Sequence, residues 1–306
     1  MLIRNKQSSP YNLVGHLSLV VIILHYGDIA DTRACLAALT PGLPADWRVL
    51  VIDNGTGTGA ADTLGREFPS IDTVTLPANQ GWAGGNNVGI AWARSRGARA
   101  ACLLNNDTLA TVGAFAPLLG ALDQVGDCLL HPAIDYGDPG DGIQLDPAQN
   151  PSSAALQGQP HLYPLDFAYG ACLMIPFSVF DRVGMFDERF FLQLEETDFF
   201  LRAKALGIPS LCLNSARIIH FESRSFGARM TPRKLYYIAR NKFLLWEKHD
   251  RSPIGLFRVI RDLYWQAAKE SAAPLLWLVS GQQGAKSIRA GVFDYFRRRF
   301  GAASNR

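Results

Sequence analysis

Polar side chains that could serve as ligands follow three apolar runs of the sequence, at the point where each run stops. His25 and Tyr26 come after the first run, Asp53 ends the second, and the stretch LLNNDT (103–108) ends a later run in two amides, a carboxylate and a hydroxyl. Open α/β sheets bind their ligands outside the carboxyl ends of the strands. Asp and Asn also form turns after strands, so each position alone has a second explanation. Because three such ends occur together with a glycine-rich segment, we expect a ligand site there.

The elements that must position these groups alternate between strand and helix signals. We predict strands at LSLVVIIL (17–24), WRVLVID (47–53), IDTVTL (71–76) and ARAACLL (98–104), and helices near 29–39, 60–68 and 84–97. Continuous β-branched runs are typical of strands buried on both faces, and this alternation indicates βαβ units around a parallel sheet. Neighbouring parallel strands would bring the three polar ends to one edge of that sheet.

The pattern after residue 108 is less regular. Residues 135–166 are rich in Gly, Pro, Asp and Gln, which predicts a long loop or a lid. A strand at FAYGACLMI (167–175) and a helix at EETDFFLRAKALG (195–207) follow, and the pattern from residue 232 onward is helical.

The composition narrows the class of protein. The 306 residues are 48% hydrophobic and 19% charged, which suits one large α/β domain with additional structure. The longest apolar runs, at 17–24 and 274–279, are shorter than the roughly 18 residues of a membrane-spanning helix. Residues 1–16 lack the apolar core of a signal peptide, so we expect a short polar tail. The five cysteines form no CxxC pair, which indicates reduced thiols in a cytosolic protein.

The order and spacing of the motifs resemble those of glycosyltransferase family 2, and within it the rhamnosyltransferase-like branch that builds bacterial surface polysaccharides. The stretches that carry the resemblance lie within residues 17–245 and are VVIILHY, VLVIDNGTGTG, NQGWAGGNNVGIAWA, LLNNDT, FAYGACLMI, GMFDERFFLQLEETDFFLRAKALG, IIHFESRS and YYIARN. The resemblance implies a nucleotide-sugar donor, a divalent cation and inversion at the anomeric carbon. It also implies a GT-A fold, a Rossmann-like mixed and mostly parallel sheet flanked by helices.

This resemblance suggests a domain organisation. We expect an N-terminal tail at 1–16, a catalytic domain at 17–232 and a basic helical extension at 233–306. Within the catalytic domain, 17–108 would bind the nucleotide and 109–232 the acceptor.

The resemblance assigns donor binding to the strand ends and to the glycine-rich segment. Asp53 resembles the family aspartate that accepts the N3–H of uracil or thymine, although an Asx-turn cap is an alternative role. The glycines of NQGWAGGNN (79–87) would allow close backbone approach to phosphate or sugar, unless they serve only a packing turn. The expected nucleotide-sugar set is His25, Tyr26, Asp53, Asn79, Gly84, Asn86, Asn87, Asn105 and Asn106.

The stretch LLNNDT resembles the family metal motif, usually written Asp-x-Asp. A hard cation such as Mn²⁺ or Mg²⁺ takes carboxylate, amide and phosphate oxygens, so the cluster would clamp the donor diphosphate. Asn105 stands where many relatives have aspartate, which leaves Asp107 as the only negative charge of the motif. His220, in RIIHFES, resembles the histidine that completes the metal shell. The expected metal ligands are therefore Asp107 and His220.

The stretch LEETDF resembles the family Glu-Asp-x-Asp motif. Inverting transfer needs one base that takes the proton of the acceptor hydroxyl, and we assign this role to Glu196. Glu195, Gly170 and Trp82 are the expected acceptor-site residues, with Trp82 stacking on a sugar face or belonging to the core. Gln193 and Leu194 replace the usual Tyr-Gly, which predicts a different acceptor pocket. The i,i+4 spacing of Asp198 and Arg202 predicts a structural surface pair.

The C-terminal segment is basic and rich in aromatic residues. Residues 233–306 carry 15 Lys and Arg against 5 Asp and Glu, whereas residues 1–232 carry 15 against 22. Amphipathic basic helices with Trp, Tyr and Phe suit an anionic membrane surface, and a solvated helical face over the sheet is the alternative. No nucleic-acid recognition motif is present, so we expect no nucleic-acid partner.

These observations together predict a metal-dependent inverting glycosyltransferase. It would move a sugar, with rhamnose from dTDP-rhamnose as one candidate and a UDP-sugar as another, onto a glycan or a polyprenyl-diphosphate-linked acceptor for the cell surface. The predicted location is the cytoplasm, peripheral to the inner face of the plasma membrane. A catalytically silent nucleotide-sugar-binding or scaffold protein is an alternative. A nucleotidyltransferase ranks lower because HYGDIADTR (25–33) supplies no glycine-rich basic loop after the first strand.

Overall fold

A computed structural model describes residues 17–136, 144–145, 161–221, 231–269 and 283–303. The expected polar tail at 1–16 lies outside the described residues. Most of the expected loop at 135–166, namely 137–143 and 146–160, lies outside them too.

The described strands form one mixed sheet. Their bounds are β1 Leu19–His25, β2 Trp47–Asp53, β3 Asp72–Thr75, β4 Ala100–Asn105, β5 Thr108–Leu109, β6 Leu129–Tyr136, β7 Gln144–Leu145, β8 Leu162–Leu165, β9 Cys172–Pro176 and β10 Ser210–His220. The strand order is β3-β2-β1-β4-β9-β6-β10-β5, while β7 pairs with β6 and β8 with β10. The four parallel pairings, β1–β2, β1–β4, β2–β3 and β6–β10, include the longest in the sheet.

The first half of the sheet has the expected parallel arrangement. His25 at the end of β1 lies opposite Asp53 at the end of β2, and Leu24 lies opposite Asn105 at the end of β4. The prediction that these three polar ends share one edge is therefore confirmed. The parallel registers put them there because each strand starts and stops at nearly the same level.

Helices cover both faces of the sheet. The described helices are α1 Ile29–Leu39, α2 Ala60–Glu67, α3 Gly81–Arg94, α4 Val112–Val125, α5 Phe177–Val183, α6 Glu195–Ala205, α7 Pro232–His249, α8 Pro253–Lys269 and α9 Gln283–Phe296. Alternate residues of β1 serve the two faces, since Val21 packs with α1 and α4 whereas Ile22 packs with α3, α5 and α6. The helix predicted at 84–97 begins three residues earlier, at Gly81.

The second half of the sheet is mixed, and it contains one short strand that matters for the site. Strand β9 returns antiparallel to β4, and β10 runs parallel to β6. Strand β5 has only two residues, and it pairs antiparallel with the end of β10 so that Thr108 lies opposite His220. This pairing joins the end of the first half of the chain to a strand formed about a hundred residues later.

The C-terminal helices share a core of their own. Leu235, Phe243 and Leu244 of α7 pack with Leu263 of α8 and Ile288 of α9. Along α8 a row of large apolar side chains faces solvent: Ile254, Phe257, Ile260 and Trp265 are each at least half exposed. No helix within the described ranges is both long and apolar enough to cross a membrane.

All five cysteines are buried and unpaired: Cys35, Cys102, Cys128, Cys172 and Cys212. The sulfur atoms of Cys102 and Cys172 lie 3.7 Å apart across β4 and β9. Burial raises the pKa of Cys35 and of Cys128 to about 12.

Candidate active site

A cavity of about 260 Å³ opens at the edge where β1, β4 and β10 end. Ten of the residues predicted for the site line it, namely Tyr26, Asn79, Trp82, Asn105, Asn106, Asp107, Gly170, Glu195, Glu196 and His220. They come from both halves of the sheet and from α3 and α6. The topology thus brings together residues that are up to about two hundred positions apart in the chain.

Asp107 and His220 meet on one wall of this cavity. The Nε2 atom of His220 lies 3.1 Å from Oδ1 of Asp107, and both side chains are buried. The two-residue pairing of β5 with β10 sets this distance, because it places the residue after Asp107 opposite His220. The ring of Tyr169 meets the imidazole edge-on, with centroids 6.2 Å apart.

A carboxylate oxygen and an imidazole nitrogen fit a divalent cation such as Mn²⁺ as a partial ligand set. No group of three or more His, Cys, Asp or Glu suited to a metal occurs within the described ranges. A cation held by Asp107 and His220 would therefore need its remaining ligands from amides, water or a bound diphosphate.

A second wall joins Asn105, Trp82, Gly170 and Glu196. The indole Nε1 of Trp82 donates to Oδ1 of Asn105 at 3.2 Å, and the ring meets Phe186 edge-on. A methyl group on Gly170 would lie 3.3 Å from the indole and 3.7 Å from Oε1 of Glu196. Trp82 thus packs into the protein on one side and lines the cavity on the other, so both of its expected roles fit its position.

Glu195 and Glu196 begin helix α6. Glu195 is buried, and its Oε2, like that of Glu196, has no hydrogen-bond partner among the described residues. Burial, together with the neighbouring Glu196 carboxylate, raises the pKa of Glu195 well above its ordinary value. Burial also raises the pKa of Glu196, which lies partly exposed at the cavity surface. A carboxylate in such an environment is a stronger base than one in water.

Five of the predicted donor residues do not line the cavity. His25 is buried, with Nδ1 2.7 Å from the Thr32 hydroxyl, and burial lowers its pKa. Asp53 is fully buried, and its Oδ1 accepts from the amide and the hydroxyl of Thr56, which is the turn-capping geometry of the alternative interpretation. Its Oδ2 is buried without a partner in the part of the chain that the structure describes. The base-binding role of Asp53 stays a prediction.

The other three belong to helix α3. Asn86 donates from Nδ2 to the Trp82 carbonyl, and Asn87 donates to the Phe186 carbonyl and accepts from the Phe186 amide. A side chain on Gly84 would meet Gln80 at 2.9 Å. These contacts are internal to the protein and account for the three residues as packing positions, and their role toward a donor stays a prediction.

Two cationic residues of the site were missed by the sequence analysis. Arg233 and Lys234, in the first turn of α7, line the cavity. The Asn79 side chain and the Arg233 guanidinium lower the pKa of Tyr26, and the guanidinium lies 5.9 Å from the Tyr26 ring. In the sequence, the adjacent Arg and Lys are the signal for these two residues, but the charge pattern also places them in the basic C-terminal segment.

The prediction of a surface pair at Asp198 and Arg202 is half right. The pair forms at 2.9 Å, but Asp198 is completely buried. It also accepts from Lys248 at 2.7 Å and His249 at 2.8 Å, at the end of α7. Asp198 therefore joins α6 to α7, a long-range contact that spacing along one helix could not reveal.

The match to a family model agrees with this geometry. The model described as glycosyl transferase family 2 matches residues 20–184. Among characterised proteins, a low-salt glycan biosynthesis hexosyltransferase of Haloferax volcanii is 26% identical over 74% of this chain and 74% of its own length. An N-acetylglucosaminyl-diphospho-decaprenol L-rhamnosyltransferase of Mycobacterium tuberculosis is 23% identical over 88% and 91%. A dTDP-rhamnosyl transferase of Shigella flexneri is 23% identical over 79% and 83%.

Solved structures confirm the expected GT-A fold. The crystal structure of GalNAc-T7 with UDP, GalNAc and Mn²⁺ superposes with a TM-score of 0.55 at 14% identity, over 85% of this chain. That of S. aureus TarS superposes with a TM-score of 0.55 at 11% identity, over 92% of this chain. The chain spans 57% and 49% of the lengths of these two structures. From the fold, the ordered motifs and a family match over more than half of its length, the chain belongs to glycosyl transferase family 2.

Proposed function

We propose that this protein is an inverting glycosyltransferase that moves a sugar from a nucleotide-sugar donor to a glycan or lipid-linked acceptor. The observation that carries the proposal is that one cavity is lined by Asp107 and His220 as well as by Glu196. The first two residues suit the diphosphate end of a donor, and the third suits the acceptor hydroxyl.

Glu196 would act as the base. As the acceptor oxygen forms its bond to the anomeric carbon, the bond from that carbon to the diphosphate oxygen breaks, and Glu196 takes the hydroxyl proton. Burial raises the pKa of Glu196, which brings its basicity closer to that needed near neutral pH. Glu195 has an unpartnered Oε2 within the described structure, so it is suited to bind or orient the acceptor.

Asp107 and His220 would hold the divalent cation together with the donor diphosphate. When bound, such a cation supplies charge neutralisation for the nucleoside diphosphate that departs. Arg233 and Lys234 line the same cavity and would add positive charge beside the phosphates. Two of the relatives named above are rhamnosyltransferases, one of them named for dTDP-rhamnose and one for a polyprenyl-linked acceptor. We therefore propose dTDP-rhamnose as the first donor to test and a polyprenyl-diphosphate glycan as the first acceptor.

The positive charge of residues 233–306 and the exposed apolar side chains of α8 support peripheral binding to an anionic lipid surface. Ile254, Phe257, Ile260 and Trp265 are exposed on α8, and the exposed Arg258 and Arg261 lie among them. Apolar side chains beside arginines suit insertion at the boundary between headgroups and acyl chains. A lipid-linked acceptor would then reach the cavity from the membrane to which the enzyme is bound.

Transfer and donor binding are measured separately to test the catalytic proposal. Glu196→Gln should reduce transfer at least about a hundredfold while donor affinity stays within twofold, because general base catalysis contributes on the order of 10²–10⁴. Asp107→Asn should weaken Mn²⁺-dependent donor binding. The exposed Asp46, outside the cavity, provides a matched control in Asp46→Asn, which should change neither. Donor binding without any turnover in the wild type would favour the silent scaffold instead.

Binding to vesicles tests the lipid proposal. The wild type should co-sediment with vesicles that contain phosphatidylglycerol, and salt should release it because screening weakens charge attraction. Replacing Phe257 and Trp265 by Ser should abolish co-sedimentation, whereas Leu206→Ser, at an exposed apolar residue after α6, should not. Equal retention of all three proteins, or no retention of the wild type, would refute lipid binding through α8.

A further inference from the structure

The segment that leads into Glu195 has an unusual backbone. Phe191, Gln193 and Leu194 have φ angles of 63°, 72° and 72°, in the left-handed region that residues other than glycine rarely adopt. Leu194 is the N-cap of α6, and its side chain offers no capping hydrogen bond. Three such residues within four positions persist only where other contacts hold the segment in place.

Two buried side chains of α7 supply those contacts. The Nδ2 atom of Asn241 lies within hydrogen-bond distance of three carbonyls of this segment, those of Phe190 at 2.8 Å, Leu192 at 2.8 Å and Gln193 at 2.7 Å, so two of the three share one of its two N–H groups. Arg240 donates to the Phe190 carbonyl at 2.8 Å and, through Nε, to Oδ1 of Asn241 at 3.0 Å. Arg240 and Asn241 are both completely buried.

The same segment also contacts the start of helix α3, beside the cavity. The amide of Trp82 donates to the Phe191 carbonyl at 2.6 Å, and the Phe191 ring stacks on Tyr237 of α7. At its far end the Leu194 carbonyl accepts from the Asp198 amide inside α6. The carbonyls from Phe190 to Leu194 are thus all hydrogen-bonded, and Asn241 binds three of the five.

We infer that Asn241, oriented by Arg240, is a positioning residue that sets where Glu195 and Glu196 stand in the cavity. This inference rests on the proposed glycosyl transfer. The amide of Asn241 fixes the carbonyls just before α6, so the helix start and its two carboxylates can take only one position. Helix α7 would then serve the reaction itself as well as the C-terminal core.

Asn241→Leu tests the inference, because leucine has nearly the shape of asparagine but donates no hydrogen bond. At equal folded fraction we expect kcat for transfer to fall by about a hundredfold, the effect of a misplacement of about 1 Å. The directly measured donor Kd should stay within twofold, because Asp107 and His220 lie on other elements. The matched control is Leu244→Ala, which removes buried apolar packing of the same helix but no hydrogen bond to residues 190–194.

The inference is overturned if Leu244→Ala lowers kcat as much as Asn241→Leu, or if donor Kd weakens in step with kcat. Arg240→Lys keeps the buried charge but loses the guanidinium fork. It should also lower kcat while donor Kd stays unchanged, and the loss of kcat should be smaller than in Asn241→Leu. If neither Asn241→Leu nor Arg240→Lys folds, the positioning role is also overturned, because Asn241 and Arg240 would then be required for folding.

A second measurement does not depend on turnover. Carbon-13 NMR of glutamate-labelled protein should show the titrations of Glu195 and Glu196 moving toward ordinary values in Asn241→Leu and staying in place in Leu244→Ala. If the wild type transfers no sugar, the proposed function fails, yet the titrations still decide whether Asn241 positions the two carboxylates. Unchanged titrations in Asn241→Leu would overturn the inference.

Discussion

One added methyl group at Gly81 should disturb the site. It begins α3 with a φ of +73°, and a methyl group there would lie 2.2 Å from the Phe191 carbonyl oxygen. That oxygen accepts from the Trp82 amide at 2.6 Å. Gly81→Ala must therefore displace the segment that leads to Glu195 and break the bond that joins it to α3.

The magnitude follows from three contributions. The left-handed conformation costs an alanine about 1–2 kcal/mol, and the reduced freedom of the unfolded chain offsets roughly 0.4–1 kcal/mol of that cost. A buried amide that loses its partner costs about 1–3 kcal/mol more. We expect Gly81→Ala to lower the free energy of unfolding by about 3 kcal/mol.

Gly97→Ala isolates the backbone contribution. Gly97 has a φ of +68° just beyond the same helix, and a methyl group there meets no heavy atom within 4 Å. This variant should lose about 1 kcal/mol, from the left-handed conformation alone. The difference between the two variants, about 2 kcal/mol, then measures the clash with Phe191 and the lost hydrogen bond.

Urea unfolding of the two variants and the wild type gives these values, and transfer is assayed at equal folded fraction. Gly81→Ala should lose most of its turnover and Gly97→Ala should keep it. Free energies within about 0.5 kcal/mol of each other would refute the reasoning, because so small a difference lies within ordinary additivity error. Full turnover in Gly81→Ala would show that the Phe191 segment does not set the position of Glu195.

Three further predictions concern buried charge. Burial lowers the pKa of His131 from 6.5 to about 4, so the unfolded state binds a proton first as the pH falls. Stability should thus drop by about 3 kcal/mol between pH 6.5 and 4 through this residue, and His131→Leu should flatten that part of the urea-unfolding profile. Glu195 should change the stability in the opposite direction. Because its pKa is raised in the folded state, its contribution to the free energy of unfolding is lost as the pH rises through that pKa. Without donor or metal, Glu195→Gln should raise the melting temperature at pH 8 but not at pH 4, and equal shifts at both would contradict this. Asp198→Asn should cost about 3 kcal/mol because Arg202 and Lys248 lose the negative charge of a completely buried partner, whereas the exposed Asp181→Asn should cost less than about 1 kcal/mol.

Local pattern was enough to predict the parallel half of the sheet. The runs at 47–53 and 98–104 are short and mostly apolar, and β2 and β4 lie within two residues of the predicted bounds. The meeting of Asp53 and Asn105 at one edge follows from strand direction alone. Helix α3 starts at Gly81 instead of residue 84 because a left-handed glycine turns the chain directly into the helix.

Contacts between distant elements were beyond the reach of the sequence pattern. Asp198 carries an ordinary i,i+4 signal with Arg202, and only the approach of α7 buries it. Asn241 resembles a polar residue on the face of an amphipathic helix, yet it binds a backbone segment about fifty residues earlier. A two-residue strand such as β5 carries no periodicity, so the meeting of Asp107 with His220 could be expected only from the resemblance to the family.

Because all five cysteines are buried, alkylation of their thiols can report local unfolding of the native protein. Alkylating reagents attack the thiolate, and burial shields all five sulfurs from them, while it also raises the pKa of Cys35 and of Cys128 to about 12. Cys102 and Cys172 lie in the middle of the sheet, on β4 and β9. The rate at which these two cysteines are alkylated in the native protein will therefore measure how often β4 and β9 separate.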